Sequence, residues 1–181
     1  MPRLTRITSK EQVPAEDHAI ADAVIKSRGG IQGPFTMLMH APKLASGMEH
    51  LGGYVRFEGK LDKRVRVLAA MTVAREFEAA YVWGAQTGSA RRMNVPETTI
   101  AAIREKHSRG MPAEDAQIVD FTRDLIHKHR VSDATVEALR KRYGNEQFIE
   151  LTGTIGYYAA LTFTANACEL EAGPGAEALP G

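Results

Sequence analysis

The side chains able to hold or move a proton gather in one stretch of this chain. Arg75, Glu76, Glu78, Tyr81, Trp83 and Gln86 follow one another closely, and Glu49 and His50 lie upstream. A carboxylate or an imidazole can act as acid or base, and a guanidinium can hold an oxyanion. The amide of Gln86 donates and accepts hydrogen bonds but has no proton that titrates near neutral pH. On a helix, Glu78 and Tyr81 are neighbours able to face one pocket. A plainer reading accompanies each residue. Acidic residues at a helix start offset the macrodipole, which suits Glu76 and Glu78, and Tyr81 and Trp83 also fit a core or an interface.

Other chemistries lack their parts. His127 and His129 are two apart and face different sides of a helix, and a proline break separates His40 from His50, so no metal site is expected. Arg28-Gly29-Gly30 and Gly52-Gly53 lack the strand and the Lys-Ser/Thr of a phosphate loop, and no cofactor is expected. The single cysteine, Cys168, follows Thr164-Ala165-Asn166-Ala167 near a helix's C-terminal end, where the dipole disfavours a thiolate. Arg64, Arg66, Arg91 and Arg92 form basic edges that read first as a solvated helix face and would also suit a carboxylate-bearing substrate.

Twenty-three Lys and Arg against 22 Asp and Glu leave a net charge of +1, too little to draw in nucleic acid or an anionic membrane. The apolar-leaning run Leu151–Cys168 carries Thr, Gly and Asn and reads as a buried helix rather than a membrane span. With one cysteine and no apolar leader in Met-Pro-Arg-Leu-Thr-Arg, the expected location is the cytoplasm.

Proline, glycine and capping residues divide the chain into helices, and no strand pattern competes. Pro14 opens a helix that stops at Gly29-Gly30, and Pro34 opens a short one to His40. Pro42 starts a helix to Gly59 with Leu44, Met48, Leu51 and Val55 in one stripe; Gly47, Gly52 and Gly53 within it suggest a close approach by a backbone or ligand. Asp62 caps a helix that turns Val65, Leu68, Ala69, Thr72 and Val73 inward, and its hairpin partner runs from about Glu78 to Met93. Pro96 and Pro112 start the next two, and Ser132 caps one that ends at Tyr143-Gly144. Asn145 caps the last, whose Ile149, Gly153, Gly156, Ala160 and Thr164 form a side that admits close helix packing. The chain reads as one helical domain over 1–170 and a flexible tail over 171–181.

Five pieces fall in a familiar order: Pro42-Lys43-Leu44; Val65 to Arg75; Tyr81-Val82-Trp83-Gly84-Ala85-Gln86; Glu146-Gln147-Phe148-Ile149-Glu150-Leu151; and Gly156-Tyr157-Tyr158 with Asn166. Over about 34–170 the chain thereby resembles the carboxymuconolactone decarboxylase and alkylhydroperoxidase D-like superfamily. The resemblance implies an all-α fold around a central helical hairpin and a homo-oligomer, trimer or hexamer. It also implies a cofactor-independent lyase or isomerase acting on a small organic acid or lactone. Where thiol members carry a Glu, two cysteines and a His, this chain has Val67, Ala79, Val82 and Gln86, which argues against dithiol peroxidase chemistry. On this reading Gln86 and an arginine stabilise a developing enolate, and Glu78, Tyr81 or His50 supplies the proton. Trp83, Arg75, Glu76, Val67 and Val82 contact the substrate. The competing expectation is a non-catalytic member that binds small molecules or serves as a scaffold.

Overall fold

Among its described residues, 2–173 and 175–179, the computed structural model contains eight α-helices and no strand. They are α1 (His18–Arg28), α2 (Phe35–Leu38), α3 (Pro42–Gly53), α4 (Lys63–Glu76), α5 (Ala80–Arg92), α6 (Glu97–Arg104), α7 (Ala113–His127) and α8 (Asp133–Ala167).

α4 is the axis of the fold. Every residue from Val65 to Arg75 is buried, as happens only when other elements surround a helix on all sides, and α5, α7 and α8 do so here. Its N-terminus forms as expected: the Asp62 side chain accepts hydrogen bonds from the amides of Arg64 (2.8 Å) and Val65 (3.3 Å). Val67, Leu68, Met71 and Val73 lie wholly inside, each worth about 1.5–3 kcal/mol of burial.

Two ion pairs fix α4 to α7. Near one end Arg64 grips Asp115 with both Nη atoms (2.5 and 2.6 Å), and Asp115 also accepts from Thr99 (3.2 Å). At the other end the Glu76 carboxylate accepts from Arg123 Nε (2.8 Å) and pairs with His127 Nε2 (2.9 Å). Glu150 of α8 secures the chain entering α4, accepting from the amides of Lys60 (3.0 Å) and Leu61 (2.7 Å) and from the Tyr54 hydroxyl (2.6 Å).

The turn between α4 and α5 departs from the sequence expectation. α5 begins at Ala80, and Glu78 stands before it with φ 54. The amide of Ala79 donates to the carbonyl of Ala74 (2.8 Å) and that of Glu78 to Arg75 (3.2 Å), a helix-ending motif that requires a left-handed residue where Glu78 sits. Asn166 Nδ2 holds the same turn through the Phe77 carbonyl (2.5 Å). Glu78 is therefore not a helical neighbour of Tyr81, and it does not offset a helix dipole.

The helix from Pro42 also changes character. After Gly53 it widens into one π-helical turn, Tyr54–Glu58, where Arg66 Nη1 donates to the carbonyls of Arg56 (2.6 Å) and Val55 (3.4 Å). Gly144 interrupts α8 with φ 75 and ψ 171, at the point where two helices were expected. The described tail residues carry no helix or strand. Glu177 reaches Arg91 (2.5 Å) and Arg104, and Ala176 lies over Gly84 of α5, where an added Cβ would come within 2.7 Å of it.

Candidate functional site

The end of α1, the π-helical turn, α4, α5 and α8 enclose a cavity of about 540 Å³, a volume suited to a small organic ligand. α4 contributes Arg66 and Val67; α5 contributes Tyr81, Gly84, Ala85, Gln86, Gly88, Ser89 and Arg92; α8 contributes Tyr157, Tyr158 and Leu161. Arg28, Phe35 and Arg56 close the far side.

Among the described residues, the ionisable groups on the wall are Arg28, Arg56, Arg66 and Arg92 with Tyr81, Tyr157 and Tyr158. Among the described residues, no Asp, Glu, His, Lys or Cys lines it. Arg28 stacks on Phe35, its Cζ 3.9 Å from the ring centroid, and its Nη2 donates to the Tyr157 hydroxyl (3.2 Å). Burial lowers the Arg56 guanidinium's affinity for its proton, and the nearby positive charge of Arg28 adds to the effect. All three phenols titrate above their ordinary range, chiefly because burial penalises the phenolate; at Tyr157 the Arg28 charge opposes that rise.

The structure brings only part of the sequence-derived set to this wall. Val67, Tyr81 and Gln86 line the cavity. Tyr81 is seated against Gly33, whose φ of 55 and lack of a side chain leave room for the ring: a Cβ there would lie 2.4 Å from it. The others lie elsewhere for identifiable reasons. Trp83, one turn along α5, is wholly buried in the core, and Val82 also packs inward. Arg75 donates its Nε to the carbonyl of Arg104 (2.6 Å), and Glu76 is committed to Arg123 and His127. Glu78 is exposed in its turn, near Lys106 (3.3 Å), and His50 is exposed on α3. Cys168, half-buried at the end of α8, shares a small apolar cluster with Tyr81 and does not reach the wall.

Arg28 and Arg56 were missed by sequence reasoning, and Tyr157 and Tyr158 were noticed only as part of a motif. Arg28 looks like the cationic last residue of a helix before glycine, and Arg56 like an exposed position on the Pro42 helix. Only the tertiary arrangement brings Arg28 to Tyr157, 129 positions away. Among the described residues, no group of three His, Cys, Asp or Glu side chains is placed to hold a metal ion. No helix of the described residues is long and apolar enough to cross a membrane.

Comparison with known proteins adds the following. Residues 42–116 match the carboxymuconolactone decarboxylase family, a span that runs from the start of α3 into α7 and includes both helices of the hairpin. No curated protein matches the chain. Among solved structures, it is similar to an alkylhydroperoxidase AhpD core, an uncharacterized peroxidase-related protein from Ralstonia eutropha JMP134. The TM-score is 0.78 at 16% identity, covering 96% of this chain and 93% of that one. An uncharacterized peroxidase-related protein from Silicibacter sp. TM1040 matches with a TM-score of 0.70 at 13% identity, over 90% of this chain and 87% of the other. At these identities the likeness establishes a shared fold.

Proposed function

We propose, from the match of residues 42–116 to the carboxymuconolactone decarboxylase family and from the fold shared with an alkylhydroperoxidase AhpD core, that the chain belongs to this superfamily and is a cofactor-independent enzyme of lyase or isomerase type, acting on a small carboxylated or lactone-like molecule. The observation that carries this reading is the cavity wall, in which four arginines and three tyrosines are the only ionisable groups among the described residues. Such a wall attracts an anion and repels a cation.

In a decarboxylation the bond to the departing carboxylate breaks and carbon dioxide leaves. The electron pair passes into an enolate, and a proton must then reach carbon. Gln86 and an arginine are suited to hold the enolate oxygen. Of the proton donors considered from sequence, Tyr81 is the one on the wall, and Tyr157 joins it. Because the Tyr157 oxygen accepts from Arg28, its own hydrogen is free for a bound molecule. Both phenols are protonated at neutral pH, as phenols ordinarily are, and burial pushes their pKa values further up. Cys168 takes no part in this scheme, and its lone thiol suits a reducing compartment such as the cytoplasm.

A second reading, a member that binds without converting, draws on the absence of carboxylate, imidazole and thiol from the described wall. A thermal-shift screen with aromatic acids, dicarboxylic acids and lactones, followed by mass analysis of each stabilising compound, separates the two. Conversion supports the enzyme, and stabilisation without conversion supports the binder. Given a converted compound, Gln86→Ala and Tyr157→Phe should each lower kcat by about tenfold or more. Wild-type turnover in both variants would refute the assigned roles.

A further inference from the structure

Three of the four arginines, Arg28, Arg56 and Arg66, line the cavity half-buried or buried and meet no carboxylate among the described residues. Arg66 retains 9% of its accessible surface. Its Nη1 is taken by backbone carbonyls of the π-helical turn, while its Nε–H is buried with no acceptor. The Nε–H of Arg28 is likewise buried and unmatched. Arg56 has its Cζ 4.7 Å from the centroid of the Phe57 ring. None of the ion pairs among the described residues includes Arg28, Arg56 or Arg66.

These guanidiniums also act on one another. Arg28 and Arg66 both depress the proton affinity of Arg56, and all three act on the ionisation of Tyr158. Elsewhere in this chain an arginine turned toward the core meets a buried carboxylate: Arg64 meets Asp115 and Arg123 meets Glu76. Like charges gathered in a partly desolvated space, with donors unmet, oppose folding. Such a cluster suits a ligand that brings the missing negative charge.

We propose that Arg28, Arg56 and Arg66, together with the hydroxyls of Tyr157 and Tyr158, form a subsite for a doubly charged oxyanion group, either a phosphate or a closely spaced pair of carboxylates. The subsite rests on the reading of this cavity as the place where the small molecule binds. It requires binding there and does not require turnover. Three cations exceed what a single carboxylate can neutralise, and the phenols supply further donors of the kind an oxyanion accepts. If the ligand is a substrate, the group held here stays on the molecule, because an arginine clamp stabilises a carboxylate in the ground state and would oppose its departure.

The test is calorimetric titration of the full chain with inorganic phosphate, malonate and acetate at matched ionic strength, for wild type, Arg56→Gln and Arg130→Gln. The Arg56 side chain lies against the Phe57 ring and joins no ion pair among the described residues, and Arg130 is exposed away from the cavity, so the two substitutions alter net charge equally and differ in place. Saturable binding of phosphate or malonate is expected, with acetate much weaker. The dianion that binds identifies the chemical source. Arg56→Gln should weaken that binding about tenfold or more, and Arg130→Gln by less than about twofold. Without ligand, Arg56→Gln should melt at or above the wild-type temperature, since it removes an unanswered charge. The proposal is overturned if neither dianion binds saturably, if acetate binds as well as they do, or if both variants bind alike. A clear drop in the ligand-free melting temperature of Arg56→Gln would also overturn it, because the cluster would then be structural. Dianion binding without turnover of any compound would leave the subsite standing and remove only the enzymatic reading.

Discussion

Gly52 has neighbours where its missing methyl group would be. A Cβ there would lie 2.3 Å from the Tyr157 hydroxyl oxygen and 2.5 Å from Arg28 Nη2, so the absent side chain is what lets these two groups meet over the cavity. Gly47, earlier on α3, has nothing within 4 Å of its Cβ position. The two glycines should answer alanine in opposite ways. Gly47→Ala gains helix propensity and should stabilise the protein by up to about 1 kcal/mol. Gly52→Ala gains the same propensity but must displace the buried Tyr157 ring and its hydrogen bond with Arg28, and should lose about 1–3 kcal/mol. Urea denaturation measures both, and equal effects would contradict this account. The sequence marks Gly47, Gly52 and Gly53 alike as places of close approach. It cannot single out Gly52, because the groups that approach it come from α1 and α8.

At the level of elements, α4 and α7 are held together through two carboxylates, Asp115 and Glu76, that water largely cannot reach. The Glu76 side chain is 4% exposed. Burial alone would raise its pKa, but the hydrogen bonds from Arg123 and His127 outweigh burial and hold it below the usual carboxylate value. A carboxylate whose folded pKa is depressed contributes stability that is fully present above its unfolded pKa and is lost as pH falls through the folded value. Glu76→Gln should therefore cost on the order of 3 kcal/mol at pH 7 and progressively less below about pH 4. Denaturation midpoints across that range check it, and a pH-independent difference would show that packing rather than charge matters here. Helix limits were mostly legible, because Asp62, Ser132, Gly144 and the prolines at 34, 42, 96 and 112 act locally. The α4–α5 turn was not, since a glutamate occupies the left-handed position that glycine or asparagine usually advertises. That one misplaced boundary put Glu78 on a helix and so into the candidate site. Gln86 and Tyr81, inside the same helix, kept their register and reached the cavity.

For the molecule as a whole, the open question is what covers its outer apolar surface. The small-residue side of α8 was expected to admit close helix packing, yet in the fold it looks outward. Gly153 and Gly156 are exposed, with nothing within 4 Å of their Cβ positions. Ile149 stands beside them 63% exposed, and Phe163 continues the strip further along the helix. Next to it, Leu51, Tyr54 and Val55 form the other wall of an apolar groove that Ile149 and Gly153 complete. Leu44 and Phe57 are exposed on the same α3 segment and the turn that follows it. An exposed apolar groove of this kind marks an interaction site, and its small residues let another helix come close. We expect a second copy of the chain to fill it, within a trimer or hexamer. Light scattering at micromolar concentration should give a multiple of the 19.8 kDa chain mass. Ile149→Glu places a charge at the centre of the groove wall and should weaken assembly by about tenfold or more, while circular dichroism keeps the wild-type helical signal. The cavity wall is drawn from α1, α4, α5, α8 and the π-helical turn of one chain, so phosphate or malonate binding should survive the substitution. A monomeric wild type would refute the assembly, and an Ile149→Glu protein with unchanged mass would move the interface away from this groove.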